Sequence, residues 1–252
     1  MPEVIFLGTG AAVTDAHRNA TMIAVGEADQ WNLIDCGGDA FQRLQLAGVD
    51  PKHVHRILLT HHHPDHLAGL PLYLERAMLA GALDQLVVFA PPETLRCARA
   101  LLDAFSAWSW PGLPALDFRE VAMHEDALVD EDMQWRITSS PVDHNKMPTV
   151  AYKVSHQGRS HVVFGADTAP CDALVRLAKD ADVLIHEATG EGPGHSSAQE
   201  AAGIAARASV GRLFLTHLPA AFGRHTLKDV RTVFAATQTA EELLRVSFGS
   251  PR

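Results

Sequence analysis

The sequence has few cysteines and no long apolar run. Its three cysteines, Cys36, Cys97 and Cys171, are too few and too scattered for a disulfide framework or a thiolate zinc site, which indicates a reducing compartment. No uncharged apolar stretch approaches the roughly 18 residues that a membrane helix requires. The apolar run that begins at Val4 lacks the preceding basic residues of a secretory signal peptide. These absences predict a cytoplasmic protein that does not bind a membrane.

Positive charge is also scarce. The chain has 21 Lys and Arg against 30 Asp and Glu, and its formal net charge of −9 repels nucleic acid rather than gathering it. The segment from Glu120 to Asp132 contains acidic residues and no Lys or Arg. Extended binding of nucleic acid is therefore not expected.

The chain is nevertheless rich in residues that form a hydrophobic core. Apolar residues make up 47% of its 252 residues, which suits a large globular domain that needs neither disulfides nor a structural metal for stability. No linker, low-complexity segment or basic tail divides the sequence. We therefore predict one domain over residues 1–252.

Short β-branched or apolar runs alternate with longer helical patterns, which is typical of mixed α/β layers. The predicted strands are Val4–Leu7, Met22–Val25, Leu33–Asp35, Ile57–Thr60, Leu86–Phe89, Trp135–Thr138, Val150–Val154, Val162–Phe164, Val183–His186 and Leu213–Thr216. The predicted helices are Asp39–Leu46, Leu67–Leu79, Glu93–Phe105, Ala198–Ala208 and Leu227–Leu244.

Two of the predicted strands carry the same pattern. Arg56-Ile-Leu-Leu-Thr-His61 and Arg212-Leu-Phe-Leu-Thr-His217 each end in Thr-His, which suggests two similar halves that face each other. Both put a histidine at the carboxyl end of a strand, where α/β sheets position their ligand sites.

Histidine is abundant, and its densest run is His61-His62-His63-Pro64-Asp65-His66, directly after a predicted strand. Imidazole and carboxylate suit borderline divalent ions, and alternating ligands on an extended turn can converge on one point while their neighbours serve another. The alternative is a solvated His-rich loop or a tag-like tract. The proline, the aspartate and the preceding strand are not features of a tag.

Further candidate ligands follow short segments elsewhere: His144 follows Ser-Pro-Val-Asp, Asp167 follows Val162–Phe164, and His217 follows Leu213–Thr216. Each of them, taken alone, is more often a structural residue. Together with the histidine run they give seven candidate metal ligands, which are His61, His63, Asp65, His66, His144, Asp167 and His217.

The order of these seven residues resembles the complete two-metal ligand set of the metallo-β-lactamase superfamily. Within that superfamily the chain most resembles the ribonuclease Z group, because it carries that group's block after the third histidine ligand and its downstream motifs. These are the segment from His144 to Tyr152, the sequence His186-Glu187-Ala188-Thr189, and His195-Ser196-Ser197. The resemblance implies a four-layer αββα sandwich, an α/β fold of two mixed β-sheets flanked by helices.

The resemblance also implies two Zn²⁺ ions per chain, with Mn²⁺ or iron as alternatives. Two dications at about 3.5–4 Å need a shared anionic ligand, and a water that they share becomes a hydroxide nucleophile near neutral pH. The family pattern gives His61, His63 and His144 to one ion, Asp65, His66 and His217 to the other, and Asp167 to both.

Protonation of the leaving group needs a donor that is not a ligand. The resemblance assigns this role to His195, oriented by Glu187, and also counts Asp65 as catalytic. Ser197-Ala-Gln-Glu200 is a capping box, which places His195 beside a helix N-terminus. For Glu187 the alternative is a buried carboxylate that only closes a loop.

The ribonuclease Z resemblance has one departure. Many tRNA 3′-processing members carry a long RNA-gripping arm between the third histidine ligand and the bridging aspartate. Here 22 residues separate His144 from Asp167, and two predicted strands fill them. The predicted function is therefore a dinuclear zinc phosphodiesterase that acts on a small anionic ester, such as a cyclic nucleotide, through a metal-bridging hydroxide.

Three other functions stay open: a tRNA 3′-processing endoribonuclease, an arylsulfatase-type ester hydrolase, and a metal-binding regulatory protein on the same scaffold. The pair Trp108 and Trp110 leaves a further choice. These tryptophans cover the core, form an apolar lid over the site, or make the contact of a homodimer.

Overall fold

Two seven-stranded β-sheets lie at the centre of the molecule, whose computed structural model describes residues 1–158 and 160–249. In chain order the strands are β1 (Glu3–Gly8), β2 (Met22–Glu27), β3 (Gln30–Ile34), β4 (Val54–Leu58), β5 (Gln85–Ala90), β6 (Ala115–Glu120), β7 (Ala127–Glu131), β8 (Trp135–His144), β9 (Met147–His156), β10 (Ser160–Phe164), β11 (Val183–Glu187), β12 (Arg212–Thr216), β13 (Thr237–Thr239) and β14 (Arg245–Ser247).

Both sheets are mixed. The first has the order β14-β1-β2-β3-β4-β5-β6, antiparallel from β14 to β3 and parallel from β3 to β6. The second has the order β13-β12-β11-β10-β9-β8-β7, parallel from β13 to β10 and antiparallel from β10 to β7. Their facing sides bury a common core that includes Phe6 and Phe214, whose ring centroids lie 5.4 Å apart.

Helices cover the outer face of each sheet. The helices are α1 (Ala40–Leu46), α2 (Pro64–Leu67), α3 (Leu70–Leu79), α4 (Pro92–Ala104), α5 (Asp172–Leu177), α6 (Ala198–Ala208) and α7 (Arg224–Val233). The first four accompany the first sheet and the last three the second, and each group encloses its own apolar cluster. The molecule is therefore the expected four-layer αββα sandwich. None of the described helices combines the length and the apolar character needed to span a membrane.

The strand and helix predictions from the sequence hold at the centre of the molecule and fail at its edges. Each of the ten predicted strands overlaps an observed one, and Ala198–Ala208 is a helix with the bounds expected. The helix predicted over Leu227–Leu244 is wrong in its second half: α7 ends at Val233, and β13 then pairs in parallel with β12. A sheet edge open to a further strand overrides the local helical pattern there.

The acidic segment from Glu120 to Asp132 supplies edge strands and is largely paired with arginines. Arg56 Nε and Nη2 each lie 2.6 Å from a carboxylate oxygen, of Asp130 and Asp132 respectively. Arg136 pairs with Glu131 at 2.7 Å. The segment is therefore less repulsive toward phosphate groups than its composition indicates.

Trp108 and Trp110 lie at the end of α4, away from the histidine run. Trp110 is partly buried against the core of the first sheet, whereas Trp108 remains 46% exposed and donates its indole N–H to Asp103 at 2.5 Å. Neither lines the cavities described below. Among the roles that the sequence left open for these two tryptophans, Trp110 packs against the core. Neither tryptophan forms a lid over the site.

Candidate metal centre

The seven candidate ligands come from segments that follow the carboxyl ends of strands. His61 and His63 lie between β4 and α2, and Asp65 and His66 are on α2. The remaining three come from the second sheet: His144 ends β8, Asp167 follows β10, and His217 follows β12. The two strands with the repeated Thr-His ending thus lie in different sheets and bring His61 and His217 to one place.

One group of ring nitrogens surrounds His63. Its Nδ1 lies 3.1 Å from His61 Nε2 and 3.2 Å from His144 Nε2. Four tetrahedral ligands at roughly 2.0–2.1 Å from a metal lie about 3.3 Å from one another, so these spacings match the edges of such a site. The three nitrogens form one face of a candidate coordination shell.

A second group lies beside the first. His217 Nε2 is 3.3 Å from His66 Nε2 and 3.2 Å from Asp65 Oδ2. His66 Nε2 and Asp65 Oδ2 are 3.5 Å apart, which completes a second triangle of possible ligand atoms. The distances in this second triangle also match the edges of a tetrahedral metal site.

Asp167 stands between the two groups. Its Oδ2 is 3.9 Å from His61 Nε2 on one side, and 3.5 and 3.3 Å from the Nε2 atoms of His66 and His217 on the other. Its Oδ1 is buried and has no hydrogen-bond partner within the described residues. A buried carboxylate oxygen without a partner is costly unless it binds a cation.

In four of the five histidines, the ring nitrogen that faces away from the cluster is held by a neighbour. His66 Nδ1 donates to Asp35 at 2.8 Å, and His144 Nδ1 donates to the carbonyl of Gly194 at 2.6 Å. The Nδ1 atoms of His61 and His217 lie 2.9 and 2.7 Å from the hydroxyls of Thr60 and Thr189. Such contacts fix the tautomer and leave the other nitrogen free to bind a metal. The donor set thus fits divalent metal ions.

The electrostatics of the cluster suit a cation at His61 and Asp167. Burial and the neighbouring imidazoles hold the pKa of His61 well below its ordinary value, so its ring is neutral, which is the ligating form. Burial raises the pKa of Asp167, but His217 and His66 outweigh it and keep this pKa well below the usual range. A neutral ring and an ionised carboxylate are the forms that metal binding requires. Burial lowers the pKa of His66, but Asp167 and Asp35 outweigh it and raise this pKa well above its ordinary value, so a metal ion would displace a proton from that ring.

Asp35 is a site residue whose role the sequence interpretation did not assign. It follows β3, is fully buried, and accepts hydrogen bonds from the backbone N–H of Thr60 at 2.8 Å and from His66. Its backbone is in the left-handed region, with φ of 59°. The neighbouring Gly37 approaches α2 so closely that a Cβ would lie 1.6 Å from the carbonyl oxygen of Asp65. The sequence feature that could have indicated this role of Asp35 is an aspartate followed by glycines directly after a predicted strand.

We expect Asp35→Asn to weaken metal binding by roughly 10–100-fold, because the amide cannot hold both Thr60 and His66 as the carboxylate does. A titration of the metal-free protein with Zn²⁺ against a competing chelator measures the change. Asp39→Asn is the matched control, since Asp39 caps α1 and pairs with Arg76 at 2.8 Å. Equal losses in the two variants would contradict an orienting role for Asp35.

Beside the cluster lies the pair formed by His195 and Glu187. The His195 Nδ1 donates to Glu187 at 2.9 Å, and the buried carboxylate also accepts the backbone N–H of Thr168 at 2.7 Å. This hydrogen bond raises the pKa of His195. One ring nitrogen of His195 lies within 4.8 Å of ligand atoms of Asp167 and His217.

The turn before α6 places His195. Ser197 and Glu200 form the expected capping box, in which the Ser197 hydroxyl accepts from the backbone N–H of Glu200. Two other histidines of the motifs lie outside the cluster: His62 faces Thr94 at 3.4 Å, and His186 is buried with its Nδ1 at the carbonyl of Glu187.

Comparison with known proteins places these features in a family. Residues 30–218 match the model of the beta-lactamase superfamily domain. Ribonuclease Z of Methanothermobacter thermautotrophicus is 30% identical over 305 aligned positions, which cover 98% of this chain and 96% of that protein. The alignment is longer than this chain of 252 residues, so that relative contains residues that this chain lacks.

Two solved structures share the fold. The short form of human tRNase Z superposes with a TM-score of 0.81 at 23% identity, covering 97% of this chain and 98% of that one. A diphosphatase from the PhnP family superposes with a TM-score of 0.78 at 18% identity, covering 99% and 98%. The chain belongs to the beta-lactamase superfamily and is a ribonuclease Z-like, metal-dependent hydrolase of ester bonds.

Proposed function

We propose that the protein is a dinuclear zinc phosphodiesterase that acts on small diesters, for example a cyclic nucleotide. Mn²⁺ or iron in place of zinc is compatible with the same imidazole and carboxylate donors. The observation that carries the nuclearity is the position of Asp167 Oδ2 between two triangles of donor atoms, 3.9 Å from His61 and 3.3 Å from His217.

Each residue of the cluster has a distinct task in this proposal. His61, His63 and His144 would hold one ion, Asp65, His66 and His217 the other, and Asp167 both. Two such ions, when bound, supply a nucleophile at neutral pH and polarise the ester. The carboxylates of Asp65 and Asp167 offset only half of the charge of two dications, which leaves a positive site that attracts a phosphodiester anion.

The histidine at the edge of the cluster acts on the leaving group. We assign to His195 the donation of a proton to the departing oxygen, because Glu187 holds its ring and it belongs to neither of the two triangles, although one of its ring nitrogens lies within 4.8 Å of ligand atoms of Asp167 and His217. Glu187 holds the ring through Nδ1, so the proton to be transferred is on Nε2. This pair favours an enzyme over a metal-binding regulatory protein, which has no use for a proton donor.

The connection between His144 and Asp167 favours small substrates over RNA. The long strands β8 and β9 pair directly through His144 and Met147, and β10 follows β9 within a few residues. No arm that could hold an RNA fold is inserted there. Ion pairs reduce the repulsion that the acidic edge segment would exert on RNA, so the preference for small substrates depends chiefly on the missing arm.

Precursor tRNA remains the second candidate substrate, because the 30% identical relative is named ribonuclease Z. The discriminating experiment compares kcat/KM of the zinc-loaded protein on an aryl phosphodiester, cyclic nucleotides, an aryl sulfate, a lactone and precursor tRNA. We expect the small phosphodiesters to be turned over much faster than the RNA at physiological salt. If kcat/KM is higher for precursor tRNA, the proposal is wrong and the protein is a tRNA 3′-processing enzyme. If kcat/KM is higher for the aryl sulfate, the protein is a sulfatase.

A further inference from the structure

We propose that an apolar cavity beside the metal centre binds an alkyl or aryl arm of the substrate. This inference rests on the proposed function, since it names the class of phosphodiester that the same site prefers. This cavity has a volume of about 650 Å³. That is a common size for a small-molecule site, which ranges from roughly 300 to 1,000 Å³.

The cavity opens directly onto the candidate catalytic groups. Its floor includes Asp65, Asp167, His195 and His217. Any molecule whose phosphate group reaches the two triangles therefore has space for one substituent in this cavity.

Two short apolar segments form the walls. One is Ala11, Ala12 and Val13, and the other is Pro219, Ala220 and Ala221. Val13 is 80% exposed to solvent, which leaves an aliphatic side chain at the rim of a highly polar centre. Contact with an apolar substituent would bury the Val13 side chain, and this removal of apolar surface from water favours binding.

The two walls are fixed to each other before any substrate arrives. Ala11 N donates to the carbonyl of Leu218 at 3.2 Å, and Leu218 N donates to the carbonyl of Thr9 at 2.9 Å. Glu242 accepts the backbone N–H groups of Thr9 and Asn19 at 3.0 and 3.1 Å, which secures both ends of the loop that carries the first wall. A prebuilt pocket loses little conformational entropy when it binds.

The walls offer almost no hydrogen bonds to a ligand. The hydroxyl of Thr189 is already engaged, since it lies 2.7 Å from His217 Nδ1 and donates to the carbonyl of His217 at 3.3 Å. A nucleobase would lose its hydration there without finding partners for its polar edge. An alkyl or aryl group has no such loss, so the cavity favours it over a nucleoside.

Polar groups lie on the other side of His63 and His195. A second cavity of about 370 Å³ shares these two residues and is lined by Asn145 and Lys146 from the β8–β9 turn. The site thus has an apolar side and a polar side, and the polar side carries one cationic and one anionic side chain, Lys146 and Glu93. The polar or charged part of an asymmetric substrate is complementary to the second cavity, which leaves the first to the apolar arm.

Phosphonates with a single substituent test the apolar cavity apart from catalysis. Their dissociation constants with the zinc-loaded protein are measured by calorimetry. We expect phenylphosphonate to bind about tenfold or more tightly than methylphosphonate, and butylphosphonate more tightly than 3-hydroxypropylphosphonate of equal length. Equal affinities for the phenyl and methyl compounds, or tighter binding of the hydroxylated one, would overturn the proposal.

Filling the cavity is expected to abolish this preference. Ala12→Leu and Ala220→Leu occupy it from opposite walls, and both alanines are exposed, so the fold tolerates the change. Each should reduce the phenyl-to-methyl ratio of affinities below about threefold, because the added side chain takes the space of the phenyl group. Ala100→Leu on α4, also exposed, is the matched control and should keep the wild-type ratio. An unchanged ratio in both cavity variants would contradict the assignment.

The two proposals fail in different ways. A protein that prefers phenylphosphonate but hydrolyses no phosphodiester keeps the apolar cavity and refutes the proposed function. A protein that hydrolyses phosphodiesters but binds the phenyl and methyl compounds equally keeps the function and refutes the cavity.

Discussion

Replacing Asp167 by alanine is expected to lower metal binding more than any other single change in the cluster. Its Oδ2 lies between the two triangles of donor atoms, so in the proposed two-ion centre its loss would remove a ligand from both ions, whereas His66→Ala would remove one from a single ion. The loss of affinity should exceed the roughly 10–100-fold that follows from changing an outer hydrogen-bond partner. Elemental analysis of protein purified without a histidine tag gives the metal content.

The wild-type protein should then contain about two ions per chain after reconstitution with zinc, as two triangles with one shared carboxylate require. Asp172→Ala is the matched control, because Asp172 is an exposed aspartate that pairs with Arg207 at 2.6 Å. Comparable metal losses in the Asp167 and His66 variants would exclude a bridge. A wild-type content near zero would exclude the metal centre altogether.

The seven candidate ligands proposed from the sequence lie close together in the structure. His144, Asp167 and His217 are far apart in the chain, but His144 ends a strand and the other two follow one, and the packing of two sheets brings strand ends to one place. The spacing of the histidine run then determines which atoms face inward. This part of the site depends on periodicity and on strand ends, both of which are local properties of the sequence.

The contribution of Asp35 could not be predicted in the same way. Its contact with His66 exists because the glycine after Cys36 lets the backbone pass α2 within a distance that no side chain allows. Such an approach is a property of two segments packed together. An aspartate after a strand indicates a polar edge, but it does not indicate which histidine the carboxylate holds.

The edges of the sheets were the least predictable part of the fold. The sequence after Val233 has helical spacing, yet Thr237–Thr239 pairs with β12, because an unpaired edge offers backbone hydrogen bonds that a helix end does not. Composition also misrepresented the acidic segment. Arg56 comes from a distant part of the chain and forms ion pairs with both Asp130 and Asp132, which a local count of charges cannot include.

The substitution His195→Ala is expected to separate catalysis from metal binding. The ring of His195 is held by Glu187 at 2.9 Å and lies outside both triangles, so the metal content should stay at the wild-type level. For a diester with a poor leaving group, kcat should fall by roughly 10²–10⁴, which is the usual contribution of a general acid. His55→Ala is the matched control, because His55 is an exposed histidine of β4 near the carbonyl of Asp29.

The dependence of the loss in kcat on the leaving group shows whether His195 donates a proton. An activated aryl oxide departs with little need of a proton, so the penalty of His195→Ala should shrink toward unity on such a substrate. Glu187→Gln should give a smaller loss with the same dependence, since the amide oxygen still accepts from His195 Nδ1 but no longer stabilises the protonated ring. Steady-state kinetics on a series of diesters with leaving groups of rising pKa measures this slope. Equal penalties across the series would assign His195 to substrate positioning instead of acid catalysis.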